Sequence, residues 1–155
     1  MLNKLKQMMQ GFAGEAQDAN QIAKEDQRLA AAALLVHATL IDGELAPEEQ
    51  SKLHELLENN YDLSPSETTE LIKMAEKEDE DAVDLFRFTR RLNRALEPKE
   101  RLKIIEMLWE IAFSDGVLHE FESNLIWRVA ELMHVSPRDR IFLRQQVKAR
   151  LNITD

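Results

Sequence analysis

One octapeptide occurs twice in this chain, in altered form. Asp42-Gly43-Glu44-Leu45-Ala46-Pro47-Glu48-Glu49 and Asp115-Gly116-Val117-Leu118-His119-Glu120-Phe121-Glu122 both read D-G-x-L-x-x-x-E. The likeness runs beyond the loops. Ala33 to Leu40 lies against Ile105 to Phe113, and Leu53 and Leu56 fall opposite Ile126 and Val129. After one extra residue in the first copy, Leu63-Ser64-Pro65 matches Val135-Ser136-Pro137. A chain with this duplication is expected to fold as two similar units on one core, related by a pseudo-twofold axis. Such packing would bring Asp42, Glu49, Asp115 and Glu122 together, and no other constellation in the chain has comparable chemical potential.

The units are helical. Only four Gly and four Pro interrupt the sequence, and apolar residues recur at steps of three and four. A long helix is expected from about Asp26 to Ile41, stopped at Asp42-Gly43 where glycine supplies a left-handed cap. Pro47 opens the next helix, with Glu48 and Glu49 in its first turn, and this helix ends near Asn59-Asn60. Ser64 and Glu67 form the pattern of a capping box before a third helix. The acidic stretch Glu76 to Asp81 is read as a separator before a helix over Ala82 to Leu96. Leu85, Phe86, Phe88, Leu92 and Leu96 of that helix should fill the core between the units. Helices over Lys99–Phe113, Glu120–Met133 and from Pro137 to near Leu151 complete the second copy. The whole is an all-α bundle of about seven helices. It comprises an N-terminal segment and linker over residues 1–25 and a domain over 26–151. Trp109 and Trp127 both sit at core spacing.

Composition narrows the function. A net charge of −9 argues against a nucleic-acid partner, because phosphate contacts need surplus Lys and Arg. The absence of cysteine excludes disulfides, thiolate metal sites and cysteine nucleophiles, and is compatible with the cytoplasmic location expected here. No stretch is long and apolar enough for a membrane span. Residues 1–12 place Leu2, Leu5, Met8, Met9 and Phe12 on one helical face with Lys4 and Lys6 nearby. A helix of this kind either packs on its own domain or grazes a membrane surface. Arg87, Arg90, Arg91 and Arg94 form a basic face, expected to be solvated or paired with carboxylates of neighbouring helices. No nucleophile–base set, phosphate loop or cofactor motif is present, so the protein is expected to be non-enzymatic and to act through a protein partner.

For the repeated loops two readings stand. Asp-Gly is a common turn, and a Glu at the third helical position is favoured by the helix dipole. Against that, Asp42 and Asp115 close helix C-termini, where a negative charge opposes the dipole. Either each Asp caps the following helix or the four carboxylates serve a divalent cation. An EF-hand is ruled out. Its calcium loop needs oxygen donors four and two residues before the Asp, and here those places hold Ala38, Leu40, Ile111 and Phe113. An oxygen-only site would suit Ca²⁺, Mg²⁺ or Mn²⁺, with zinc requiring His37 or His119. Neither histidine belongs to a compact ligand motif, and a hydrogen-bonded structural role is expected for each.

Ile41 to Glu49 and Ser114 to Glu122, each following an Ala- and Leu-rich helix, resemble the paired motifs of the bacterial tellurite-resistance protein B (TerB) family. The resemblance covers about Arg28 to Leu151. The stretch from Asp115 to Val135 and its Leu-Met-His-Val-Ser-Pro turn also resembles the TerB-like domain that precedes J-domains in some co-chaperones, although the chain has no His-Pro-Asp tripeptide. The resemblance implies a helical fold of two halves, a metal-binding acidic cluster at Asp42, Glu49, Asp115 and Glu122, and a setting in stress or metal resistance. A protein-interaction adaptor with purely structural loops is the alternative. Val117 and Phe121 stand where the first copy has Glu44 and Glu48, so a symmetric two-metal site is not implied. Tellurite is itself an oxyanion, which an acidic cluster repels.

Overall fold

A computed structural model of the protein describes residues 24–39, 47–81, 85–116, 118 and 120–153, with the side chains of 78–81 and 121 set aside. The described residues form seven helices, α1 (residues 24–39), α2 (Pro47–Tyr61), α3 (Pro65–Asp81), α4 (Phe86–Ala95), α5 (Pro98–Ala112), α6 (Glu120–Leu132) and α7 (Pro137–Arg150). Among the described residues there is no strand, and no helix is long and apolar enough to cross a membrane.

The order α1-α2-α3 recurs as α5-α6-α7, with α4 between, and the boundaries repeat in chemical detail. Ser64 Oγ accepts from Glu67 N at 3.2 Å, and Glu67 Oε1 accepts from Ser64 N at 3.1 Å, closing the capping box. Ser136 Oγ accepts from Asp139 N at 3.1 Å at the start of α7. The ends preceding these caps match as well. Asp62 and His134 both adopt positive φ, 54° and 59°, and the next residue bonds backward: Leu63 N to Glu58 O at 3.2 Å, Val135 N to Ala130 O at 2.9 Å. These are left-handed helix stops made without glycine. A further box, not anticipated, opens α5, where Glu97 N donates to Glu100 Oε1 at 3.2 Å ahead of Pro98.

The core centres on the equivalent helices α1 and α5. Residues Ala30 to Val36 are all buried, as befits a helix that is apolar all round. Its four consecutive alanines present small surfaces to their neighbours. From α5, Ile104, Ile105, Met107, Leu108, Trp109, Ile111 and Ala112 are buried. Leu53 and Leu56 of α2 and Ile126 and Val129 of α6, paired by the repeat, are buried too. Polar contacts lock the second unit. Asn93 Nδ2 and an Arg101 guanidinium nitrogen donate to the carbonyls of Leu132 (2.8 Å) and Met133 (3.2 Å), satisfying acceptors at the end of α6 that have no intrahelical partner. Arg150 pairs with Glu106 and Glu110, tying α7 to α5.

Three expectations are corrected. The acidic stretch Glu76–Asp81 is not a break: α3 continues through Asp81, since Glu and Lys are good helix formers and no Gly or Pro intervenes. Phe86 does not fill the core but is exposed, because Leu85, Phe88, Thr89 and Leu92 take the inner face of α4 and Phe86 lies a hundred degrees round from Leu85. Trp127 is also outside, at 51% exposure. On α6 it faces away from Leu125, Ile126, Val129 and Ala130, all of which are buried. The basic face of α4 behaves as read: Arg87, Arg90 and Arg94 are exposed, and Arg91 pairs with Asp26 of α1.

Candidate functional site

Of the four carboxylates singled out by the repeat, Glu49, Asp115 and Glu122 are among the described residues, and two of these three are interior. Glu49 is 3% exposed and Glu122 5% exposed, whereas Glu48 and Glu120 in the same first turns are exposed. Both buried residues stand at the third position of their helices, and each has a bonding or electrostatic partner. A glutamate needed only for the helix dipole does its work at the surface. Removing a carboxylate from water costs several kcal/mol unless its environment compensates. Burial at both matching positions therefore separates this pair from ordinary turn residues.

The second loop is described through Asp115 and Gly116. Phe113 closes α5, Ser114 Oγ donates to Ile111 O at 2.7 Å, and Gly116 N donates to Phe113 O at 2.9 Å. Gly116 has φ +83°, the left-handed conformation that reverses the chain toward α6. Asp115 is exposed and Leu118 is partly buried against the core, as a staple should be. Asp42 and the rest of the first loop, with His119, lie outside the described residues. His37 is half-buried on α1 and has a partner. Among the described residues, no three His, Asp or Glu side chains gather closely enough to hold a metal ion. Glu49, Asp115 and Glu122 thus do not form such a group by themselves.

The surroundings of the loops cross between the units. The start of α2, through Glu48, Ser51, Lys52 and Glu55, shares a cavity of about 300 Å³ with Phe113, Ser114 and Gly116 of the second loop. Reciprocally, Glu122 borders a narrow apolar seam with Ala38 at the end of α1 and Leu108, Ile111, Ala112, Leu125 and Ile126. Ala38 and Ile111 occupy equivalent places in the two copies and line the same seam.

A separate surface was not anticipated. Trp127, Ile141 and Phe142 are exposed on α6 and α7. Trp127 and Ile141 line a shallow cavity of about 370 Å³ with Ser123, Asn124, Arg140 and Arg144, floored by Trp109. Among the described residues no carboxylate pairs with Arg138, Arg140 or Arg144. Helical spacing of tryptophan and isoleucine reads equally as core, so only their placement revealed this face.

The family model for tellurite resistance protein TerB matches residues 28–145, and the chain belongs to that family. The matched segment spans α1 to the middle of α7 and includes both loops. No curated protein and no solved structure matches the chain significantly.

Proposed function

We propose that this TerB-family chain is a non-enzymatic accessory protein of a cytoplasmic stress or metal-resistance response, and that its paired loops take a divalent cation. The observation that supports this reading is the burial of Glu49 and Glu122 at equivalent positions. On this reading the two units are related by a pseudo-twofold axis near the seam where Ala38 meets Ile111. Asp42 and Asp115 complete an all-oxygen donor set, which suits Ca²⁺, Mg²⁺ or Mn²⁺ rather than a soft metal. The cation then offsets the cost of holding carboxylates close together.

Thermal melts test this. A cation at a hundredfold excess over its Kd stabilises the fold by about 2.7 kcal/mol, or roughly 5–10 °C for a chain of this size. Changing Asp42 and Asp115 together to Asn should abolish that rise and leave the cation-free protein at least as stable. If millimolar Ca²⁺, Mg²⁺ and Mn²⁺ all leave the wild-type melt unchanged while the double variant is destabilised by about 1 kcal/mol through lost capping, the loops are structural turns.

The exposed Trp127, Ile141 and Phe142 beside Arg140 and Arg144, which pair with no carboxylate among the described residues, favour a second reading, a protein-interaction adaptor. Tryptophan and arginine are the residues most enriched where binding energy concentrates. Trp127→Ala and Phe142→Ala should then weaken association with a protein partner and leave the melt unchanged.

A further inference from the structure

We infer that residues 1–12 dock in cis, as an amphipathic helix, into the groove between α1 and α3. The groove has a cavity of about 280 Å³ with an apolar floor of Leu29, Leu63, Leu71 and Met74, and at its edge the carboxylates of Glu25, Glu67 and Glu70 outnumber the one lining cation, Arg28. Met74 is 55% exposed, an unusual place for a large thioether on a helix whose other apolar residues turn inward. Glu25 also lines the groove, so the described chain begins beside it.

Three properties of residues 1–12 fit that surface. Leu2, Leu5, Met8 and Phe12 recur at helical steps and form a single apolar stripe, with Met9 adjoining it. As a helix the stripe is about 15 Å long, comparable to the roughly 14 Å that α3 rises between its start at Pro65 and Met74. Lys4 and Lys6 are the charged residues of the segment, and no acidic residue occurs before Glu15. Its charge is therefore opposite to that of Glu67 and Glu70, in a chain that is otherwise acidic. The intervening residues 13–23 span up to about 35–40 Å when extended, more than enough to return the stripe along α3. A tether this short holds the segment at an effective concentration in the millimolar range, so a contact too weak to survive between separate molecules is populated within one.

The absence of cysteine allows a clean test on the full chain. Asn3→Cys carrying a nitroxide should broaden the methyl signals of Met74, Leu71 and Leu29, and reduction of the label should restore them. Adding Leu5→Glu and Met8→Glu should abolish the broadening while leaving the melting temperature of the domain in place, and Glu67→Lys with Glu70→Lys should diminish it. Mixing labelled protein without isotope with isotope-labelled protein without nitroxide should produce no broadening. Broadening in that mixture would mean docking between copies and would overturn the assignment. So would an unperturbed groove in a protein whose residues 1–12 respond only to phosphatidylglycerol vesicles, the outcome of a membrane-grazing helix.

Discussion

Replacing Trp109 and Trp127 by alanine, one at a time, separates two residues that look alike in sequence. Trp109 is 2% exposed. Its indole N–H donates to Arg140 O at 3.1 Å, and its ring stacks on Phe113 with centroids 5.9 Å apart. The Arg144 guanidinium stands 6.0 Å from the ring centroid. Truncating a buried aromatic side chain costs about 3–5 kcal/mol through lost transfer energy and the cavity left behind. Losing the donor to Arg140 O adds about 1 kcal/mol, and the ring and cation contacts add about 0.5–1.5 kcal/mol each where they do not overlap with the cavity term. A total near 4–6 kcal/mol would consume much of the ~5–15 kcal/mol typical of a domain. Trp127, half in solvent with no hydrogen-bond or ring partner among the described residues, should change stability by no more than about 0.5 kcal/mol. Urea denaturation followed by circular dichroism measures both. The midpoint should fall steeply for Trp109→Ala and stay put for Trp127→Ala, with the slope unchanged in each. Equal losses for the two variants would mean that Trp127 is buried in solution, refuting the placement of its face of α6.

Gly116→Ala should cost about 1 kcal/mol, read as a lower urea midpoint; nothing lies within 4 Å of the added Cβ, so φ +83° alone carries the penalty. Burial pushes the Tyr61 hydroxyl up to about 12, with Arg28 opposing and Glu100 reinforcing the shift. Because the folded pKa lies above the unfolded value near 10, the stability it contributes is whole below pH 10 and is lost as pH rises toward 12; Tyr61→Phe should flatten that part of an alkaline stability titration. Glu67 is held below the usual carboxylate range, first by the Ser64 backbone N–H and then by the Ser64 hydroxyl. Its contribution is present above the unfolded pKa and fades as pH falls through the lower folded one, so Glu67→Gln should remove a small acid-side slope from the same titration. In that variant, amide exchange at the first turn of α3 should quicken.

The helical class, the helix starts and the family are legible in the sequence, because they rest on local chemistry. Ser64 with Glu67, Ser136 before Pro137 and Pro47 after the first loop mark helix starts through hydrogen bonds and φ restraints that span only a few residues. The duplication was legible for the same reason, since a repeated turn repeats its local grammar. Three local features were not legible: the left-handed stops at Asp62 and His134, which use no glycine, the capping box of Glu97 and Glu100, and the continuation of α3 through an acidic run that high helix propensity sustains. The remainder was decided by tertiary packing. Periodicity assigns a residue to a face of its helix, but that face becomes interior only where another helix covers it. Trp109 is covered by α7, whereas Trp127 is left half in solvent, although both occur at core spacing. Glu49 and Glu122 likewise share an ordinary first-turn position with many exposed glutamates. Their burial follows from the surroundings α2 and α6 meet after the chain has returned on itself, and local sequence carries no record of that environment.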